Sequence, residues 1–333
     1  MAIVTVPGIK NHKFLPKKIK NPENSTPFRI CRPLSPMTVL ALVLPDFLLI
    51  ALGWVLFHKL NFSRDFFQGA EQLVFFVLFP ALLFHSITQT PLSFSSASIL
   101  FQATLSVQAF GVAMAWLAVP ILRPDPLEHA STAQCAYRFN TYIGLSIAAG
   151  LGGTQGQTVM AVMVGFAVPL TNMAAVHALA RQNGGKIFKE IIRNPFIIAT
   201  VLGLLVNILG VPVPKPMDVA LGRLGSCAIA IGLMCVGATL SLSGSRGAAK
   251  LMTWMISIRL LLTPLAALAI GWAFQLPALE RQILLLFSAL PTASSAHVLA
   301  ARMGGNGRLV AAIMTIGTLL SALTIPFWLM IGT

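Results

Sequence analysis

Apolar runs of membrane-spanning length recur from Met37 almost to the end of this 333-residue chain. A bilayer core offers no water to pair loose backbone N–H and C=O groups, so unwound backbone survives there only beside a cavity or buried in protein. Such runs must therefore be helix, each needing about 20 residues to cross. Charged residues make up 10% of the chain and hydrophobic ones 56%, where a soluble domain carries roughly 25% charged residues. The sequence predicts an all-α, polytopic membrane protein.

Ten spans are expected, at about 38–57, 69–88, 96–122, 131–150, 157–180, 194–210, 217–241, 249–274, 281–301 and 307–331. The polar stretch 181–193 divides them into two sets of five, giving a first repeat at 37–180, a linker, and a second repeat at 194–333. The halves echo one another: LPDFLLIALG opens span 1 and NPFIIATVLG opens span 6, while span 4 runs into Gly152-Gly153 and span 9 into Gly304-Gly305. Five is odd, so the second set enters the membrane upside down, which makes an inverted repeat, a frequent transporter architecture.

The +14 net charge reports orientation rather than nucleic-acid binding, since no aromatic-basic face accompanies it. Loops after odd-numbered spans carry Lys59, Arg64, Arg123, Arg181, Lys186, Lys189, Arg193, Arg246, Lys250, Arg302 and Arg308; the other loops carry Lys215, Arg223 and Arg281. The positive-inside rule then places the odd loops, 181–193 among them, in the cytoplasm and both termini outside, in a cell (inner) membrane. The basic segment 1–36 conflicts with this placement. Either translation starts at Met37, or the segment is a disordered cytoplasmic tail and the span count differs.

Two helix-breaking patches fall in the fourth span of each half: RFNTYIGLS (138–146) and LPTASSAH (290–297). Asn140 lies about 14 Å into span 4 and Pro291 about 15 Å into span 9, so both reach the middle of a core about 30 Å thick, from opposite faces. Pro291 lacks an N–H and clashes with the preceding turn, and Thr292, Ser294 and Ser295 are good cap residues for a restarted helix. In span 4, Asn140 and Thr141 offer polar side chains and Gly144 permits close packing. Two half-helix N-termini facing one cavity favour an anion.

Arg138 and Arg259 add positive charge at membrane depth, where an arginine costs at least about 2.5–3.5 kcal/mol and must face the interior or a water-filled cavity. The alternative for each is a tie to backbone carbonyls. Asp46 is the one deep acid, and this scarcity speaks against cation exchange and against a carboxylate-built sodium site. The glycine-rich 150–157 segment lacks the Lys-Ser/Thr pair of a phosphate loop. Ser294, Ser295 and His297 lack a nearby carboxylate, so hydrolysis is not indicated. The four cysteines form no C-x-x-C pair and read as buried thiols; no metal site, cofactor or enzyme activity is expected.

VLPDFLLIALGWVL (43–56), LVFFVLFPALLFHSI (73–87), RFNTYIGLS, RNPFIIATVLGLLVN (193–207) and ALPTASSAHVLAARMGG (289–305) resemble, in order, segments of the auxin efflux carrier family, specifically its compact bacterial branch. The resemblance implies a bile-acid-symporter-like fold in which spans 4 and 9 cross at their breaks, with Asn140, Gly144 and Pro291 at the crossover. It implies transport of organic anions. One departure is Ser146, where the family often has proline, which leaves the break in span 4 less forced than that in span 9.

The expected function is secondary transport of a mono- or dicarboxylate by alternating access. Spans 1, 2, 6 and 7 would move against the crossover bundle, and Arg138, Asn140, Thr141, Gly144, Ser146, Arg259, Pro291, Thr292, Ser294 and Ser295 would form the substrate site. The expected partners are the anion, the lipid bilayer and, as a homodimer, a second copy of the chain; nucleic acid is not among them. The alternative is a membrane anion sensor without net transport.

Overall fold

Lipid-length apolar sequence gives helix and no strand among the described residues. The structure, a computed structural model, describes residues 36–89, 94–183, 195–241, 248–293 and 295–332. The basic tail, the centre of the linker and Ser294 lie outside them.

The first span is α1 (Pro36–His58). The second runs through α2 (Arg64–Leu73), a π-helical turn at Val74–Leu78 and α3 (Phe79–Gln89). The third is α4 (Phe94–Leu122). Next come α5 (Pro126–Thr132), a 3-10 turn at Ala133–Ala136 and α6 (Thr141–Asn183). The second half holds α7 (Pro195–Ile208) and α8 (Lys215–Thr239). It continues with α9 (Ala249–Ser257), a π-helical turn at Ile258–Leu262 and α10 (Thr263–Ala273). It ends with α11 (Ala278–Ala289), α12 (Ser295–Arg302) and α13 (Gly307–Ile331). Among the described residues, seven helical stretches are long and apolar enough to cross a membrane, and Ile198–Ile208 is a shorter apolar helix.

The junction expected between residues 150 and 157 needs no polar loop. Within the 43 residues of α6, the backbone leaves helical geometry at Gly152 and at Gly153 (φ 56°, ψ −141°). Positive φ of this kind is open to glycine at no steric cost.

The helices expose rows of large apolar side chains. Leu40, Leu44, Leu48 and Leu52 line one face of α1, and Ile198, Val201, Leu202, Leu205 and Ile208 cover much of α7. Spacing of three and four residues puts them on one side of each helix, and an apolar surface of that extent suits lipid. Lipid gives no hydrophobic drive between helices, so close backbone approach through small residues takes its place. α1 packs chiefly on α8 in this way. A Cβ on Gly53 would overlap the Met234 carbonyl, and one on Gly237 would overlap the Ile50 carbonyl. α3 packs on α7 and α8, while α6 joins α4 and α11, and α10 packs on α11.

The α1–α8 contact makes a prediction of opposite signs. Gly237→Ala meets backbone that cannot rotate away and should cost at least about 1–3 kcal/mol. Gly69, inside α2, has nothing within 4 Å of a built Cβ. Gly69→Ala should stabilise by about 0.5–1 kcal/mol through helix propensity alone. Thermal unfolding of the two variants in detergent, compared with the parent, checks both signs.

Candidate functional site

The helical segment before the first expected interruption, α5, is set up by its cap. Asp125 accepts hydrogen bonds from the Leu127 and Glu128 N–H groups at 2.9 and 3.0 Å, with Pro126 at the first helical position. The helix tightens through the 3-10 turn and then stops. Residues 138–140 carry no regular structure, and α6 begins at Thr141. Asn140 is the reason for the restart: its Oδ1 accepts from the Tyr142 and Ile143 N–H groups at 3.1 and 3.3 Å. That is N-capping, which an asparagine does well.

The second expected interruption, at 290–297, behaves in parallel. α11 stops at Ala289, Leu290–Ala293 are extended or irregular, and α12 begins at Ser295. Pro291 forces the stop, since it cannot donate to the preceding turn. The two interruptions are stitched together. The Asn140 N–H donates to the Pro291 carbonyl at 2.8 Å, and the Thr292 hydroxyl donates to the Cys135 carbonyl, also at 2.8 Å. Each unwound segment satisfies a backbone group that the other leaves open, which is how irregular backbone persists without water.

The two deep arginines take different positions. Arg259, 1% exposed, sits in the π-helical turn. Its Nε donates to the Leu290 carbonyl and its Nη2 to the Phe287 carbonyl, both at 2.6 Å. These are carbonyls at the broken end of α11, which have no partner within the helix. Arg259 thus takes the backbone-carbonyl tie that the sequence left open, with Nη1 buried and unpartnered. Thr263 reinforces the same end by donating to the Ser288 carbonyl at 3.0 Å, and Trp328 donates to the Leu260 carbonyl at 2.8 Å.

Arg138 lies beside the junction itself. Its Nη1 donates to Gln134 Oε1 at 2.9 Å and its Nη2 to the Ser295 hydroxyl at 3.0 Å. Two of a guanidinium's five N–H donors are used in this way, and no carboxylate neutralises it among the described residues. The Asn140 Nδ2 amide is buried and has no partner among the described residues. A buried donor without an acceptor is costly, and here it lies next in sequence but one to an unneutralised guanidinium.

The other expected residues are placed as follows. Thr141 is half-buried at the start of α6. Gly144 lets α6 approach the second interruption: a Cβ there would stand 2.7 Å from Leu290 Cδ1. Ser295 is exposed and accepts from Arg138. Ser146 faces elsewhere: its hydroxyl donates to Asp46 Oδ1 at 2.6 Å. Gln134 and the Cys135 carbonyl join the junction without having been expected. Gln134 stands four residues before Arg138, a spacing at which side chains meet on a helix. The Cys135 carbonyl carries no sequence signal at all.

Residues 38–185 and 179–329 match the family model described as Membrane transport protein. The chain belongs to this family, that of the auxin efflux carriers. Its relatives in the membrane transport protein family include an "Uncharacterized transporter" of Methanothermobacter thermautotrophicus, 25% identical over 293 residues, or 86% of this chain and 96% of the relative. "Uncharacterized transporter YfdV" of Escherichia coli K12 is 23% identical over 305 residues, covering 87% of this chain and 96% of its own. A Rhizobium meliloti protein named "Putative malonate transporter" is 23% identical over 301 residues, covering 86% and 93%. Membership makes the chain a multi-pass membrane protein of a transport family.

Proposed function

We propose that the chain is a secondary transporter of small mono- or dicarboxylates, working by alternating access in the cell (inner) membrane. In this reading ten spans form two inverted five-span repeats, 37–180 and 194–333. The cytoplasmic linker 181–193 joins them and both termini lie outside. The interrupted spans 4 and 9 cross at the bilayer midplane. The first bundle holds α1–α3, α7 and α8, and it moves against the crossover bundle of α4–α6 and α9–α13.

The observation that carries the proposal is the junction of Asn140 with Pro291, flanked by Arg138. It supplies an unneutralised positive charge, a spare amide donor and two helix starts, α6 and α12, whose partial positive charge favours anions. Arg138, Asn140, Thr141, Ser294 and Ser295 contact the anion in this account. Thr292, Pro291 and Gly144 hold the crossing, and Arg259 braces α11. The name of the Rhizobium relative makes malonate the first probe.

Uptake into proteoliposomes tests the proposal. Radiolabelled malonate should enter saturably and be competed by other carboxylates but not by the neutral diamide malonamide. Equal competition by malonamide, or no uptake of any carboxylate, removes the proposal. A raised melting temperature with malonate but no accumulation would instead identify a sensor.

A further inference from the structure

Asp46 stands mid-way along α1, about 15 Å from Pro36 at the helical rise per residue, and is 2% exposed. The Ser146 hydroxyl donates to its Oδ1 at 2.6 Å, and its Oδ2 has no partner among the described residues. α1 packs on α6, α8 and α13. The described titratable or charged side chains of those helices are Tyr142 and His177 on α6, Lys215, Asp218, Arg223, Cys227 and Cys235 on α8, and Arg308 on α13. None of them pairs with Asp46 among the described residues, where Ser146 is its one hydrogen-bond partner. An ionisable residue at membrane depth with no counter-ion has function as its default explanation.

We propose that Asp46 is a proton-binding site, and that its protonation couples transport to the proton gradient. Oδ2 takes one proton from one side of the membrane and yields it to the other, with no bond other than O–H made or broken. A metal cation fits less well: the two carboxyl oxygens and one hydroxyl fall short of the roughly six oxygen ligands that hard cations take, and the described residues hold no cluster of metal-ligating side chains.

The position of the pair explains the coupling, and here the inference rests on the proposed transport. α1 belongs to one moving bundle and α6 to the other, so the Ser146–Asp46 hydrogen bond spans the surface along which they slide. Ser146 lies about 9 Å along α6 from Asn140, close enough for the bond to respond when the junction fills. The carboxylate accepts from Ser146 in the packed arrangement. The protonated acid is neutral, offers a donor of its own, and is free to cross the interface.

Two measurements on the full chain in lipid vesicles test this separately. Infrared spectroscopy without any substrate should show a protonated-carboxyl stretching band that grows on acidification and is missing in Asp46→Asn. A carboxyl that does not titrate overturns the inference. Malonate accumulation at clamped zero potential should rise about tenfold per pH unit of inward gradient, the equivalent of one proton. It should lose that response in Asp46→Asn and regain part of it in Asp46→Glu. Accumulation that still follows the gradient in Asp46→Asn, or that follows a sodium gradient and ignores protons, overturns it. If the band titrates but no malonate enters, the transport reading falls and the proton site stands.

Discussion

Asn140→Ala is expected to abolish malonate uptake while the protein still inserts and runs as a single species. The cap contributed by the Asn140 side chain is worth only about 1 kcal/mol, small beside a typical stability of about 5–15 kcal/mol. The backbone tie from Asn140 to the Pro291 carbonyl survives the substitution, because it comes from the main chain. What disappears is the Nδ2 amide, the buried donor that has no partner among the described residues. Asn140→Asp separates the two roles. It keeps an oxygen for the Tyr142 and Ile143 N–H groups and so should fold like the parent. It replaces the spare donor with negative charge and should transport no better than alanine. Uptake by Asn140→Asp at the parent's rate would reduce Asn140 to a cap.

Arg259→Met should act on stability instead. It orphans the carbonyls of Phe287 and Leu290, each of which costs about 1–3 kcal/mol when buried without a donor. Removing the guanidinium also removes the cost of burying a charge, which holds the net loss to about 2–4 kcal/mol. Arg259→Lys should rescue little, since one ammonium cannot reproduce a fork that meets two carbonyls three residues apart. Arg138→Met is the counterpart. Of its partners, Ser295 is exposed and can turn to other groups, which leaves one buried acceptor, Gln134 Oε1, at about 1–3 kcal/mol before the cost of burying the charge is recovered, so melting should move less than in Arg259→Met. Loss of one charge-assisted bond to the anion, about 1.5–3 kcal/mol, should lower malonate affinity roughly ten- to a hundredfold. Melting curves and binding isotherms on the pair separate brace from ligand. A large stability loss in Arg138→Met with unchanged affinity would reverse the assignment.

Sequence alone revealed the interruptions because each is written in local chemistry. Pro291 denies its turn a donor, and Asn140 is a strong cap at matching depth in the other half. That Arg138 and Arg259 lie buried in the protein was equally readable. Their division of labour was not, because the partners of Arg259 are backbone carbonyls 28 and 31 residues away, and carbonyls have no letter in the sequence. The Asp46–Ser146 pair hides for a related reason. Its members are 100 residues apart, and each alone reads as an isolated polar residue in an apolar span. The scarcity of acids argued against cation exchange and against a carboxylate-built sodium site, yet it is the setting of the one deep acid, and not the number of acids, that decides what it can do. The π-helical turns were also invisible: nothing in VFFVL or IRLLL (74–78 and 258–262) departs from ordinary helix composition. The Gly152-Gly153 junction was foreseen in place but not in form, because one residue at positive φ replaces the short loop that the span limits suggested.

The most direct test of the account is a cryomicroscopy structure of the full chain in nanodiscs with saturating malonate. Carboxylate density is expected at the junction of the two interrupted segments, within hydrogen-bond reach of Asn140 Nδ2 and the Arg138 guanidinium. Density at any other place in the protein, with the junction empty and Asn140 Nδ2 still unpartnered, would contradict it.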